Sequence, residues 1–347
     1  MMDDTGKVVF KTFSFPNTSD GGNALFSKLA SYSLNPSDFE IGMEATGHYW
    51  LSVYSFLFEK SFLLHVINPI QTDGWRRGTE IRKRKNDIID SVLIADLIRY
   101  GQFVETRLAD EDLFSLRTLT RFRTYLVESI SDLKRKVVCV LDQVFPEYQS
   151  VFSDIFGKTS KEILLQFSSP IDFESVSSET LAELLAQLSR QKVGTAKAEQ
   201  LKAAASSSFG VTFAKNSFTF QLKTLIEQIS FIEKQVKETE TEISGIMGKL
   251  ESPITTITGI GSVTGAAILS EVGDISKFDS PRKLVLRKAI FQSALIASFK
   301  DPVLSVYYQK KRAEGKHHLT CVGAVARKMC NIIYAVLKSN QPYVPKA

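Results

Sequence analysis

Asp38-Phe39-Glu40-Ile41-Gly42-Met43-Glu44-Ala45-Thr46-Gly47-His48 decides how the first part of this chain is read. Residues 38–43 form an apolar, strand-like run that ends at Glu44. Residues 61–67 (Ser-Phe-Leu-Leu-His-Val-Ile) make another such run, closed by Asn68-Pro69. Residues 22–33 and 47–58 read as helices on either side of the first run. Earlier still, residues 7–15 are β-branched and aromatic, hence strand-like, after the turn chemistry of Asp3-Asp4-Thr5-Gly6. Residues 87–99 read as a helix with Ile94 and Leu97 on the side of Asp87 and Asp90. Strands alternating with helices argue an α/β domain.

Three carboxylates stand out in this region. Glu44 lies at the strand end, and Asp87 and Asp90 lie in Lys85-Asn86-Asp87-Ile88-Ile89-Asp90 at the head of the helix. Acids three apart on a helix share a face, so both can aim at one point. A third acid from a strand end completes an oxygen cage suited to Mg²⁺, a hard ion that prefers carboxylates and water. Taken singly, Glu44 reads as a cap, and the aspartates as acids favoured at a helix N-terminus by its dipole. Taken together, beside a block of Arg and Lys, they point to phosphodiester chemistry on nucleic acid.

The chain has 347 residues, enough for two or three domains, with 44% hydrophobic and 23% charged residues and a formal net charge of +5. The distribution of charge matters more than its sum. Arg76, Arg77, Arg82, Lys83, Arg84 and Lys85 fall within one short stretch, and Lys134-Arg135-Lys136 and Lys310-Lys311-Arg312 form two more clusters. Basic clusters on a near-neutral chain read as local phosphate contacts or as solvated helix faces, and the run beside the paired aspartates favours nucleic acid. Cys139, Cys321 and Cys330 offer no disulfide framework and read as small buried residues in a reducing compartment. The first residues are not a signal peptide, and no apolar run reads as a membrane span, so a cytoplasmic protein is expected.

The rest of the chain reads as helical. Leu116, Leu119, Leu126, Ile130, Leu133, Val137, Val140 and Val144 recur at spacings of three and four, with Arg123 filling the gap, until Phe145-Pro146 ends the helix. Residues 148–178 are mixed and Ser-rich, like a domain edge, and helices are read at about 179–190 and 195–206. Phe218, Leu222, Leu225, Ile229, Ile232, Val236, Thr239, Ile243, Ile246 and Leu250 hold a strict four-three alternation, broken in polarity only at Thr239. Such a seam predicts a coiled coil whose partner is the same stretch of another subunit or the 179–206 helices of this one. A buried bundle helix is the plainer reading. Further helices are expected at about 281–299, 302–313 and 317–338.

Gly259-Ile260-Gly261-Ser262-Val263-Thr264-Gly265 is like a dinucleotide-binding loop, but the residues after it read as helix upon helix rather than a βαβ unit. A helix-hairpin-helix, whose amides hold a phosphate, and a structural turn between packed helices both fit. The four histidines suggest no metal site. His48 reads as a hydrogen-bonded neighbour of Glu44, His65 as core, and His317-His318, after Gly315-Lys316, as solvent or phosphate contacts.

With these residues in view, the sequence resembles the DEDD transposases of the insertion-sequence 110 group, the bridge-RNA-guided recombinases related to the Piv invertases. Phe15-Pro16-Asn17-Thr18 with Gly21-Gly22, then Met43 to Gly47, then Lys85 to Asp90, are similar to the family's first domain. Thr258 to Gly261, Ala266-Ala267, Glu271 to Asp274, Tyr307-Tyr308, Lys311-Arg312 and Glu314-Gly315-Lys316 are similar to its last. The resemblance implies a RuvC-like, RNase H-type domain over 1–150, a helical coiled-coil region over 151–250, and an all-α domain with a helix-hairpin-helix over 251–347. It implies an acidic tetrad that holds Mg²⁺, of which Glu44, Asp87 and Asp90 match three, and a serine nucleophile in the last domain. It also implies DNA and a structured guide RNA as partners, with Arg76, Arg77, Arg82, Lys83, Arg84, Lys85, Gly259, Gly261, Lys311, Arg312 and Lys316 as the nucleic-acid contacts. Self-association is expected through residues 218–250.

Two departures from the family pattern lead to the expectation of a truncated or inactive copy. The family opens with a strand bearing the first acid of the tetrad, and this sequence begins at what matches the turn after it; a start codon placed too far downstream is the competing explanation. After Ser280 to Val285 the family continues into a glycine-rich segment with the nucleophilic serine, whereas here Leu286-Arg287-Lys288-Ala289 match the sequence beyond it. Ser293 falls in the later helix and does not take the role. Loss of the first strand is expected to leave unpaired edges and an open apolar core. The alternatives to a recombinase are a Mg²⁺-dependent junction-type nuclease and a non-catalytic nucleic-acid-binding oligomer.

Overall fold

The structure, a computed structural model, describes residues 1–10, 12–79, 86–101, 103, 111–191, 194–280 and 287–345. The chain divides into two units, Met1–Leu108 and Ala109–Ala347. In this division the long helix expected at the end of the first domain lies in the second unit.

The first unit runs α1 (Ser19–Ala30), β1 (Glu40–Glu44), α2 (Tyr49–Phe58), β2 (Leu63–Ile67), α3 (Pro69–Thr79) and α4 (Asp87–Tyr100). Thr18 fixes the start of α1 by accepting a hydrogen bond from the Gly21 amide at 3.2 Å. The strands are parallel, in register from Glu40 opposite Leu63 to Glu44 opposite Ile67. Parallel neighbours need a crossover, which α2 supplies. Apolar burial is divided between two small clusters, one of Leu29, Leu57, Phe62 and Leu64 and one of Ile67, Leu97 and Ile98. Gly42 determines how close α4 comes to the sheet. A Cβ there would lie 2.1 Å from Ile98 Cδ1 and 2.8 Å from Ile94 Cγ2, so only a bare backbone accommodates the helix.

Among the described residues the sheet has only these two strands. The described residues of 7–15, expected as a strand, contribute a single antiparallel bridge, from Val8 to Met2. Strand propensity alone makes no ladder; a partner edge must lie alongside. A cleft of about 940 Å³ separates the two, lined by Met2, Val9 and Phe10 on one side and Ile41, Gly42 and Ile98 on the other.

The second unit is helical: α5 (Glu111–Val144), α6 (Tyr148–Val151), α7 (Lys158–Gln166), α8 (Pro170–Glu174), α9 (Ser178–Ser189), α10 (Thr195–Ser206), α11 (Lys215–Leu250), α12 (Ser262–Val272), α13 (Arg287–Lys300), α14 (Pro302–Ala313) and α15 (His318–Ser339). Its axis is the pair α5 and α11, packed along their lengths. They run antiparallel. Leu116 shares a buried cluster with Ile243 and Met247, Arg123 ion-pairs with Glu240 at 2.7 Å, and Val137 and Val140 share a cluster with Leu222 and Ile229. The seam on 218–250 is thus filled by α5 of the same chain, not by the 179–206 helices. Thr239, its one polar member, satisfies its hydroxyl on the Gln235 carbonyl at 2.8 Å. At one end of the pair, α6–α10 close a core around Tyr148, Phe145 and Phe173; at the other, α12–α15 close a second.

Two further expectations change. One helix, α15, is long and apolar enough by length and composition to cross a membrane. It carries Arg327 and Lys328, and Val322, Val325, Met329 and Ile333 on its apolar face are buried in the second core. Of the cysteines, Cys321 is buried, Cys330 half-buried and Cys139 exposed.

Candidate functional site

Glu44 ends β1, and because side chains alternate along a strand it projects to the same face as Gly42, the face that α4 covers. Asn86 caps α4 by accepting from the Ile89 amide at 2.8 Å, which sets Asp87 and Asp90 in its first turn. Asp87 is exposed and Asp90 is half-buried.

α3 engages Glu44 and Asp90 through two residues one turn apart. The Thr72 hydroxyl, 3% exposed, donates to Glu44 Oε2 at 2.7 Å, and Thr46 donates to the other Glu44 oxygen. One turn on, Arg76 donates through Nη2 to Asp90 Oδ1 at 2.7 Å and through Nη1 to Asp73 Oδ1 at 3.1 Å. Arg76 is 6% exposed. Trp75 between them donates from its indole N–H to Asp96 Oδ2 at 3.2 Å, tying α3 to α4 a second time. The sequence offered a faint sign of this in Thr72, Asp73 and Arg76, spaced to share a helix face. What it did not offer was Asp90 as the partner.

The oxygen donors suit a hard cation, but their arrangement does not fit Mg²⁺. Among the described residues no group of three His, Cys, Asp or Glu side chains is gathered to hold a metal ion. Glu44 faces threonine hydroxyls and Asp90 faces a guanidinium. Glu44 and Asp90 are each engaged by one turn of α3, through Thr72 and Arg76, and Asp87 is exposed.

The expected nucleic-acid contacts have different fates. Arg76 is withdrawn from solvent, because a buried guanidinium needs the two carboxylates it meets. Arg77 is exposed and pairs with Asp73 at 2.7 Å. Arg82, Lys83, Arg84 and Lys85 lie outside the described residues. Lys311 and Lys316 both donate to Glu314 at 2.8 Å, and those hydrogen bonds hold the Glu314 carboxyl well below its ordinary value, at about 2. Arg312 donates to the Lys316 carbonyl at 2.8 Å.

Gly259 has φ +91°, and a Cβ on it would lie 2.5 Å from the Ser293 carbonyl oxygen of α13. Its glycine is therefore required by packing. Gly261 is the residue before α12 and has no such neighbour. Ser293 is 1% exposed and donates to the Ala289 carbonyl at 3.1 Å, as a buried helical serine does. His48 packs on the Tyr49 ring with centroids 4.1 Å apart, and His65 is largely buried beside Phe103. His317 caps α15, and His318 Nδ1 lies 2.7 Å from the Tyr308 hydroxyl.

The parallel strand ending in a carboxylate and the helix headed by two more both lie within a stretch similar to a transposase domain. Residues 1–146 match the DEDD transposase family of the IS110 type, and residues 251–286 match a family described as "Transposase IS116/IS110/IS902 family". The chain belongs to this IS110/IS116/IS902 transposase family. It is 24% identical over 320 residues to the insertion element IS900 uncharacterized 42 kDa protein of Mycobacterium paratuberculosis, covering 80% of this chain and 77% of the relative. It is 22% identical over 308 residues to the insertion element IS116 uncharacterized 44.8 kDa protein of Streptomyces clavuligerus, with the same coverage of 80% and 77%. It is 20% identical to the pilin gene-inverting protein of Moraxella lacunata, across 95% of this chain and 89% of that one.

Proposed function

We propose that this transposase of an IS110-type insertion element acts on DNA ends and target together with a structured guide RNA, and that this copy is impaired in strand exchange. The observation that carries the reading is the position of the two family matches. One encloses Glu44, Asp87 and Asp90 on their strand and helix, and the other encloses the Gly259–Gly261 turn. Likeness to a pilin gene-inverting protein supports site-specific recombination as the reaction type. The cleft beside β1 supports the impairment, since among the described residues that strand has a ladder partner on one edge only. Base pairing by RNA would read sequence, and exposed cations such as Arg77 would hold backbones. Self-association belongs to the same proposal. With the seam filled by α5, the exposed Phe220 and Phe231 of α11 are the surface a second copy would cover.

Divalent-metal chemistry at Glu44, Asp87 and Asp90 stays within the proposal, with the Arg76 ion pair on Asp90 as the obstacle to it. That same pair favours a second reading, non-catalytic nucleic-acid binding. A strand-exchange assay with the element's own ends and RNA tests both. Salt-sensitive binding with little exchange is the expected result. Efficient exchange overturns the impairment, and absence of binding overturns the reading as a whole. Mg²⁺-dependent nicking lost in Asp87→Ala would instead indicate a junction-type nuclease.

A further inference from the structure

The Arg76 guanidinium is the most heavily buried charge described in the first unit. Its side chain is 7% exposed, against 20% for Asp90 and 47% for Asp73. Its Nε is buried without a hydrogen-bond partner. Burying a cation so fully is unfavourable unless nearby carboxylates compensate. The two it meets come from both sides, Asp73 from its own helix and Asp90 from α4. One turn earlier on the same helix, Thr72 holds Glu44. A single turn of α3 thus restrains both half-buried acids of the candidate site, one by a neutral hydroxyl and one by a positive charge.

We propose that Arg76 is a resident counter-ion that competes with divalent cations for Asp90, so that the acidic site of this chain is closed to metal while Arg76 is in place. The inference rests on reading Glu44, Asp87 and Asp90 as one site. Its physical basis is simple. A guanidinium fixed at 2.7 Å from Asp90 Oδ1 holds the carboxylate oxygen a metal would coordinate and adds a positive charge that repels the incoming ion. Thr72 and Thr46 stand at the Glu44 oxygens in a similar way but carry no charge, so they oppose a cation far less. Removal of the Arg76 charge leaves Glu44, Asp73 and Asp90 against one turn of α3, with Asp87 on the same first turn of α4 as Asp90, a surplus of hard oxygen donors.

The test uses Mn²⁺ as the probe, followed by loss of the free-ion electron paramagnetic resonance signal on the full chain. Wild type is expected to show no measurable binding up to 10 mM. Arg76→Gln is expected to bind at least tenfold tighter, and Asp90→Asn added to it is expected to abolish the gain. Tryptophan fluorescence reports whether the variant keeps its fold, because Trp75 lies beside Arg76. A folded Arg76→Gln protein that binds Mn²⁺ no better than wild type overturns the proposal. Wild type supplies an independent measurement that needs no variant. Mg²⁺ at 10 mM should leave its fluorescence-detected unfolding midpoint unmoved, and a rise of several degrees would show that metal enters with Arg76 in place and overturn the proposal. Neither outcome touches the recombinase reading, which the strand-exchange assay judges separately.

Discussion

The two units hold their functional residues in place by different means. In the helical unit, α5 and α11 bury Leu116, Val137, Leu222, Ile229 and Ile243 along a single shared seam, and a closed core sits at each end. In the α/β unit, apolar burial is split between two small clusters, and β1 borders a cleft. There the geometry of Glu44 and Asp90 depends on a glycine, a threonine hydroxyl and an ion pair. Apolar burial is non-directional and tolerates small shifts. Hydrogen bonds and close backbone contacts do not. The helical unit should therefore lose stability gradually, and the α/β unit should lose its site with little change in helix content.

Both tryptophans, Trp50 and Trp75, lie in the first unit, so their fluorescence reads it alone while circular dichroism reads mainly the second. Ile229→Ala gives the largest expected effect. Deleting a fully buried seam residue costs about 2–5 kcal/mol, seen as a lower dichroism midpoint with the fluorescence midpoint unmoved. Joint movement of the two signals would show that the units do not unfold independently. Gly42→Ala is expected to cost about 1–3 kcal/mol from overpacking against Ile94 and Ile98, this time in fluorescence, with helix content nearly unchanged.

Within the helical unit, Asp172 shows the directional kind of restraint. Burial raises the Asp172 carboxyl, but hydrogen bonds from Lys215 and from the Ser168 and Ser169 region outweigh it and leave the group below its ordinary value of 3.8. A depressed folded value means the contribution is complete above the unfolded value and is lost as pH falls through the folded one. For a partly exposed pair it is worth below about 1 kcal/mol. Asp172→Asn should flatten the stability profile below pH about 4, where the unfolded carboxyl titrates. The smallest effect is expected for Glu314→Gln. This exposed group should leave the unfolding midpoint unchanged, while freeing Lys311 and Lys316 steepens the salt dependence of any DNA binding.

The sequence made some of this legible. An apolar run closing on Glu44 and a four-three alternation over 218–250 are local patterns, and both became elements close to where they were expected. The partner of the seam was not legible, because a heptad specifies a face and not the helix that fills it. The burial of Arg76 was not legible for a related reason. Within a basic run it looks like surface, and its acceptor Asp90 lies 14 residues along the chain on another helix. Residues 7–15 had the composition of a strand, yet strand formation depends on a neighbouring ladder that composition does not reveal.

The cleft beside β1 also bears on how the protein behaves in concentrated solution. A ladder edge without a neighbour is a template on which another copy of the molecule can align. Asp3, Asp4, Asp38 and Glu40 line the cleft together with Arg99, and the surplus of acids should oppose the close approach of a second copy. That protection is electrostatic, so added salt or acidification should turn a well-behaved preparation into one that clouds.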